Sequence, residues 1–110
     1  MSGKLEDVLV VCDMDGTLLC DDMRLLPCNL ETIRLFRTMV GHFPVATGRT
    51  VSSVALYPEL AKIIDPAITC GGAVIYDFAE DVAVKTSVLP HLAARQGLRD
   101  IMKNFPRVGI

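Results

Sequence analysis

VLVVCDMDGTLL, residues 8–19, decides the fold, because an apolar run ends abruptly in two aspartates one residue apart, then a glycine and a threonine. Val8, Leu9, Val10, Val11 and Cys12 form a continuous apolar stretch, the pattern of a strand covered on both faces in a parallel sheet. Asp13, Met14, Asp15, Gly16 and Thr17 then leave the strand. Buried charge is costly unless something pairs with it. The stretch therefore predicts a strand whose carboxyl end opens into a site.

The rest of the chain repeats this theme. Between Pro27 and Val40, the residues Leu30, Ile33, Phe36 and Val40 fall on one helical face, with Asn29 placed to cap the helix and Gly41 to end it. FPVAT at 43–47 predicts a second strand, with Pro44 near its start, where a missing N–H is tolerable. A helical stretch from Thr50 to about Tyr57 is checked by Pro58 and resumes weakly to Ile64. AITC at 67–70 is a third strand that runs into Gly71 and Gly72. Two β-α repeats and a third strand argue for an α/β fold with a parallel, Rossmann-like sheet and right-handed crossovers.

Beyond it, AVIYD at 73–77 and VAVK at 82–85, joined by the acidic turn FAED, predict a hairpin. Pro90 to Phe105 predicts a last amphipathic helix with Leu98, Ile101, Met102 and Phe105 as its buried stripe, and the final RVGI reads as the opening of another strand.

The bulk numbers bound the partners. A chain of 110 residues, 51% hydrophobic and 22% charged, is one small globular domain. At this length folding buries roughly 60–70% of the extended surface, enough for a modest core without metal or disulfide staples. A net charge of -2 and a pI near 5.6 argue against nucleic acid or an anionic membrane as partner, since both need a concentrated basic face. Cys12, Cys20, Cys28 and Cys70 contain no C-x-x-C pair, and read as free thiols in a reducing cytoplasm. Glu6 and Asp7 interrupt the apolar run that a signal peptide would need. The apolar runs are also far short of the ~20 residues that span a bilayer.

In open α/β sheets, ligands bind outside the carboxyl ends of the strands. The three predicted parallel strands end in Asp13-Met14-Asp15-Gly16-Thr17, Thr47-Gly48-Arg49 and Gly71-Gly72, so these groups are expected on one rim. At ~6 Å and an effective dielectric of ~20, two carboxylates repel by roughly 3 kcal/mol. A hard divalent cation relieves the conflict, and Mg2+ takes one or two carboxylates while keeping positions for water and a phosphate oxygen. Asp13 is then the nucleophile and Asp15 the proton carrier. Thr47 offers a hydroxyl to the transferring phosphoryl group, and Gly16 and Thr17 offer backbone N–H groups. The plainer readings are a solvated loop for the aspartates, a helix cap or turn for Thr47, a surface salt bridge for Arg49 and a simple turn for Gly71-Gly72. His42 and His91 stand alone and receive no role.

Asp13-Met14-Asp15-Gly16-Thr17-Leu18 resembles the first motif of the haloacid dehalogenase superfamily of aspartyl-phosphate phosphotransferases. VATGRT at 45–50 resembles the second, with Thr47 at the phosphate-binding position, and AITCGGAVIYD at 67–77 resembles the stretch that follows in the Cof-like subgroup, whose usual Asn-Gly is here Gly71-Gly72. The resemblance implies a Mg2+-dependent phosphatase of small phosphorylated metabolites working through a phospho-aspartate at Asp13. It implies metal binding by Asp13 and the Asp15 backbone carbonyl, and phosphate or substrate contacts from Gly16, Thr17, Thr47, Gly48 and Arg49.

It also implies an incomplete molecule. The family's third motif, a lysine, and fourth, an acidic Gly-Asp, lie beyond an inserted cap and have no counterpart here. Residues 1–89 are then part of the core and 90–110 the start of a cap region, and the 110-residue chain is expected to be a weak catalyst or none. Two other readings stand beside this one. A receiver-type phosphorylation switch has this length and an acidic Mg2+ site, but carries its phosphorylated aspartate after the third strand. A non-catalytic interaction piece would self-associate through an exposed sheet edge.

Overall fold

The computed structural model describes residues 5–109. Residues 8–12 run parallel to residues 42–46, bridged at Leu9–His42 and Cys12–Val45, and Ala46 in turn bridges Ile68. The bonds are short: Val10 N–H to the His42 carbonyl at 2.8 Å, Ala46 N–H to that of Cys12 at 2.9 Å, and Ile68 N–H to that of Val45 at 2.8 Å. The three expected parallel segments thus lie side by side. Pro44 explains why the first pairing is broken into isolated bridges. It sits where a parallel ladder would need an N–H for the Val10 carbonyl, and proline has none.

The third segment, β1 (Ala67–Thr69), also pairs antiparallel with β2 (Val74–Asp77), which pairs antiparallel with β3 (Val82–Thr86). The expected hairpin is therefore present and extends the same sheet. Its turn is closed by Asp77, whose Oδ1 accepts the N–H groups of Ala79 at 2.9 Å and Glu80 at 3.2 Å.

Helix α1 (Pro27–Thr38) presses Leu30 and Ile33, each 4% exposed, into a core with Phe43 and Val45. Its ends differ from expectation. Leu26 occupies the cap position without a side-chain bond and Pro27 takes the first helical position, where its missing N–H costs nothing. Asn29, expected to cap, lies inside the helix and donates from Nδ2 to the Leu18 carbonyl at 3.3 Å, tying α1 to the aspartate turn.

At the other end Val40, not Gly41, takes the left-handed conformation, with φ 61. Val40 N–H returns to Arg37 and Gly41 N–H to Phe36, the paired bonds of a Schellman ending. Val40 is accordingly 48% exposed instead of on the buried face. Gly41 is required for space: a Cβ there would meet the Phe36 ring at 2.4 Å.

The helical stretch after Thr50 splits into α2 (Val51–Val54) and α3 (Pro58–Ala61). Thr50 caps α2 by accepting Ser53 N–H at 3.2 Å. The two turns carry Val54 and Leu60, both fully buried, into the core that holds Met14, Val45 and Ala67. Asp65 then locks this layer to the sheet, its Oδ2 accepting Arg37 Nη1 at 2.6 Å and Phe43 N–H at 2.7 Å.

Three expectations fail outside this core. Residues 8–11 are not covered on both faces: Val8, Leu9, Val10 and Val11 are 38–63% exposed. They form an edge, hydrogen-bonded to the 42–46 segment on one side only among the described residues. Helix α4 (His91–Asn104) has the predicted span, but none of its residues is buried, and Leu98, Ile101, Met102 and Phe105 are 41–61% exposed. Helical periodicity identifies an apolar face without supplying the surface it meets. Residues 107–109 form no strand, and Ile110 lies outside the described residues. No helix among the described residues is long and apolar enough to cross a membrane.

Candidate functional site

The aspartates leave the first segment through a turn that this sequence specifies locally. Asp15 (φ -69, ψ 126) and Gly16 (φ 73, ψ 3) are the two central residues of a type II turn, whose second position favours glycine because φ is positive. Met14 and Leu18 face inward and anchor the loop in the core, while Leu19 N–H returns to the Met14 carbonyl at 2.9 Å. Asp13, Asp15, Gly16 and Thr17 are consequently left exposed on the rim. Asp13 Oδ1 accepts the Met14 N–H at 2.8 Å, which fixes the carboxylate at the strand end with its other oxygen free of that bond.

Thr47 ends the second segment. It is only 6% exposed, and its Oγ1 accepts the Arg49 N–H at 3.0 Å. The hydroxyl proton is left to donate. Its backbone is held from the third strand end, with Gly71 N–H on the Thr47 carbonyl at 3.2 Å and Cys70 N–H on the Arg49 carbonyl at 2.8 Å. Gly48 is exposed and nothing lies within 4 Å of where its Cβ would be, so the backbone stays accessible between Thr47 and Arg49. Gly71 and Gly72 form the tight turn into β2, as the plainer reading has it.

Arg49 joins the rim together. Its Nε and Nη2 grip the two Asp15 oxygens, each at 2.8 Å, and Nη1 donates to Ser53 Oγ at 2.9 Å. This is the bidentate fork geometry that makes arginine–carboxylate pairs specific. The charge conflict of the aspartate pair is thus relieved from within the chain at Asp15, by a guanidinium. The sequence expectation of a hard cation at the aspartate pair is left with the Asp13 carboxylate and the Asp15 backbone carbonyl as its donors.

These hydrogen bonds, with the guanidinium charge, hold the Asp15 carboxyl below the usual carboxylate range. Because the folded-state value is lowered, the pair's contribution to stability is full above the ordinary carboxylate range and fades as pH falls through the lowered value. Arg49→Ala is expected to return the Asp15 carboxyl upward toward its ordinary value, read by carboxyl carbon NMR titration. An unchanged titration would show that the pair does not persist in solution. Cys12, just before the site, has its thiol pushed up by burial and then by Asp13, the behaviour of a packing residue. All four cysteines are free.

The Asp13 carboxylate and the Asp15 backbone carbonyl are hard oxygens on the exposed turn, which suits Mg2+ with its remaining positions filled by water and phosphate. Both carboxylate oxygens of Asp15 are engaged by Arg49, so only its backbone is free to serve. Among the described residues no three His, Cys, Asp or Glu side chains gather as a metal cluster. These donors fit the ion and would supply part of its shell.

Sequence reasoning missed Met23, Ser53 and Tyr57, all of which touch Arg49. Ser53 was in principle accessible, four residues from Arg49 across the start of α2. Met23 and Tyr57 carry no local signal, since they meet Arg49 only through the tertiary fold.

The sequence profile of the haloacid dehalogenase-like hydrolases matches residues 10–108. An uncharacterized hydrolase of Schizosaccharomyces pombe is 39% identical over 84 residues, 73% of this chain and 28% of its own length. A 5-amino-6-(5-phospho-D-ribitylamino)uracil phosphatase of Bacillus subtilis is 35% identical over 70% of this chain and 32% of its own. A pyridoxal phosphate phosphatase of Escherichia coli is 27% identical over 80% of this chain and 32% of its own. Among solved structures, a haloacid dehalogenase-like hydrolase from B. subtilis superposes with a TM-score of 0.77 at 26% identity, over 87% of this chain and 33% of that one. The chain spans about a third of the length of the relatives it matches. With its motifs on one rim and its profile match running almost end to end, the chain belongs to the haloacid dehalogenase-like hydrolases of the Cof type.

Proposed function

We propose that this chain carries the phosphate-handling half of a phosphatase site for small phosphorylated metabolites, with Asp13 as the group that takes the phosphoryl. The observation that carries the reading is the Arg49–Asp15 pair, 2.8 Å at both contacts, which ties the second strand end to the first. The names of the curated relatives, two of them phosphatases of phosphorylated small molecules, support the substrate class. Family membership sets aside the receiver-type switch.

In this reading an Asp13 carboxylate oxygen attacks phosphorus in line with the leaving oxygen. The Thr47 hydroxyl and the backbone N–H groups of Gly16 and Thr17 stabilise the charge on the phosphoryl oxygens. Bound Mg2+, held by Asp13 and the Asp15 carbonyl, would supply charge neutralisation at the phosphate. Asp15, kept ionised by Arg49, is suited to accept a proton from the water that later releases phosphate from Asp13. To donate a proton to the leaving group it must first be freed of the guanidinium, whose fork matches phosphate as well as carboxylate. Gly48 leaves the backbone beside Thr47 open to the phosphoryl group. We further assign residues 1–89 to the core and 90–110 to the start of a cap, and place the protein in the cytoplasm. Activity of this chain alone is expected to be weak or absent.

The test is acetyl phosphate with Mg2+, followed by peptide mapping. Labelling at Asp13 supports the reading, and labelling near Cys70 or nowhere overturns it.

The open edge at residues 8–11 supports a second, separate proposal of self-association. Four aliphatic residues with no charge or proline between them invite strand pairing. A twofold axis at Val10 would, however, bring the Asp7 end of one copy to the Asp13 end of its mate, and like charges there oppose contact. Self-association is therefore expected to rise with ionic strength as this repulsion is screened. Sedimentation velocity at low and high salt checks it, and a constant monomer in both counts against edge pairing.

A further inference from the structure

The hairpin that follows the aspartate turn ends against Arg49, and one side chain from a distant part of the sequence fastens it there. Leu19 and Leu25 pair antiparallel, with Cys20 N–H on the Arg24 carbonyl at 2.9 Å and Met23 N–H on the Cys20 carbonyl at 2.8 Å. The tip residue, Met23, has φ 65, a left-handed conformation that a Cβ disfavours. In that pose its carbonyl accepts the Tyr57 hydroxyl at 2.8 Å, and its Sδ lies 3.5 Å from Arg49 Nη2. The Tyr57 ring lies under the same guanidinium, with Arg49 Cζ 5.4 Å from the ring centroid. One tyrosine touches both the hairpin tip and the arginine that grips Asp15.

The sequence sets Tyr57 in this place through its neighbour. A residue preceding proline is disfavoured in helical geometry, and Tyr57, before Pro58, has φ -114 and ψ 70. This break separates α2 from α3. A two-stranded hairpin is marginal in water by itself, so a hairpin beside the site needs such a fastening to stay closed. A guanidinium held on Asp15, Ser53, Met23 and an aromatic face likewise loses the rotamer freedom that a free arginine must give up on binding phosphate.

We propose that Tyr57 is a positioning residue: it latches the 19–25 hairpin beside the Asp15–Arg49 pair, so that hairpin and arginine present one preformed wall to phosphate. This rests on the phosphate-handling reading given above. The informative variant is Tyr57→Phe, which keeps the ring under Arg49 and removes only the bond to Met23.

Two readouts separate the latch from its use. Amide exchange at Cys20 and Met23 is expected to accelerate about fivefold in Tyr57→Phe, the effect of one lost hydrogen bond, while Ile68 in the sheet stays as in wild type. Titration with inorganic phosphate at millimolar Mg2+ is expected to show affinity about fivefold weaker, with the melting temperature nearly unchanged. Unaltered hairpin exchange overturns the latch whatever phosphate does. Faster exchange with undiminished phosphate affinity overturns the positioning role and leaves Tyr57 a purely structural contact. A wild-type chain that exchanges as described but binds no phosphate overturns the proposed function, and the positioning role with it.

Discussion

Asp13→Asn is expected to reduce labelling by acetyl phosphate to background while leaving the fold intact. In the proposed reaction an Asp13 carboxylate oxygen would form the new bond to phosphorus, the bond from phosphorus to the bridging oxygen would break, and acetate would leave with that electron pair. The asparagine amide is of the same size and keeps an oxygen to accept the Met14 N–H now bound at 2.8 Å, but it has no charged oxygen to attack. Because Asp13 is exposed, the exchange removes no core contact, and stability should stay within about 0.5 kcal/mol. Intact mass, with and without Mg2+, reads the added phosphoryl group, and thermal melting reads the fold. Undiminished labelling in the variant would move the nucleophile elsewhere. An arginine-specific loss tells a different story: Arg49→Ala should weaken phosphate contacts but leave the Asp13 oxygen able to react.

Leu60→Ala is expected to cost about 3 kcal/mol and to lower the melting temperature by roughly 15 °C. Leu60 is completely buried, although α3, which carries it, has only four residues. A single helical turn has no stability of its own, so α3 holds its place through what it packs against. Truncating the side chain leaves a cavity in the core and removes the anchor in one step. The effect should reach the site, since Tyr57 immediately precedes α3. Leu92, 79% exposed on α4, is the matched control, and Leu92→Ala should change stability by less than about 0.5 kcal/mol. Equal melting temperatures for the Leu60 variant and wild type would mean that this layer is not part of the cooperative core.

What could be read from the residues, and what could not, follows from the range of the forces involved. The apolar run 8–12, Ala67-Ile68-Thr69 and the hairpin strands announce themselves because each is a short run rich in β-branched or other apolar residues bounded by turn signals, which is a local pattern. The type II turn at Asp15-Gly16 is equally local. Asn29 and Gly41 misled because helix ends are settled by what the flanking residues meet. Leu18 offers a carbonyl to Asn29, and the Phe36 ring claims the space beside Gly41. The apolar stripe on α4 and the faces of residues 8–11 were expected to be buried because periodicity reports amphipathicity, and covering those faces takes a partner surface absent among the described residues.

By itself, the sequence determined that three strand ends would carry carboxylates, a Thr-Gly-Arg and a glycine pair to one rim, since each motif is contiguous and each strand signals its own direction. Only the tertiary structure decided how the aspartate charges are answered. Asp15 and Arg49 are 34 residues apart in the chain, and an ion pair across that separation depends on the sheet register that brings the two ends together. The same holds for Tyr57 and Met23, whose meeting no local pattern encodes.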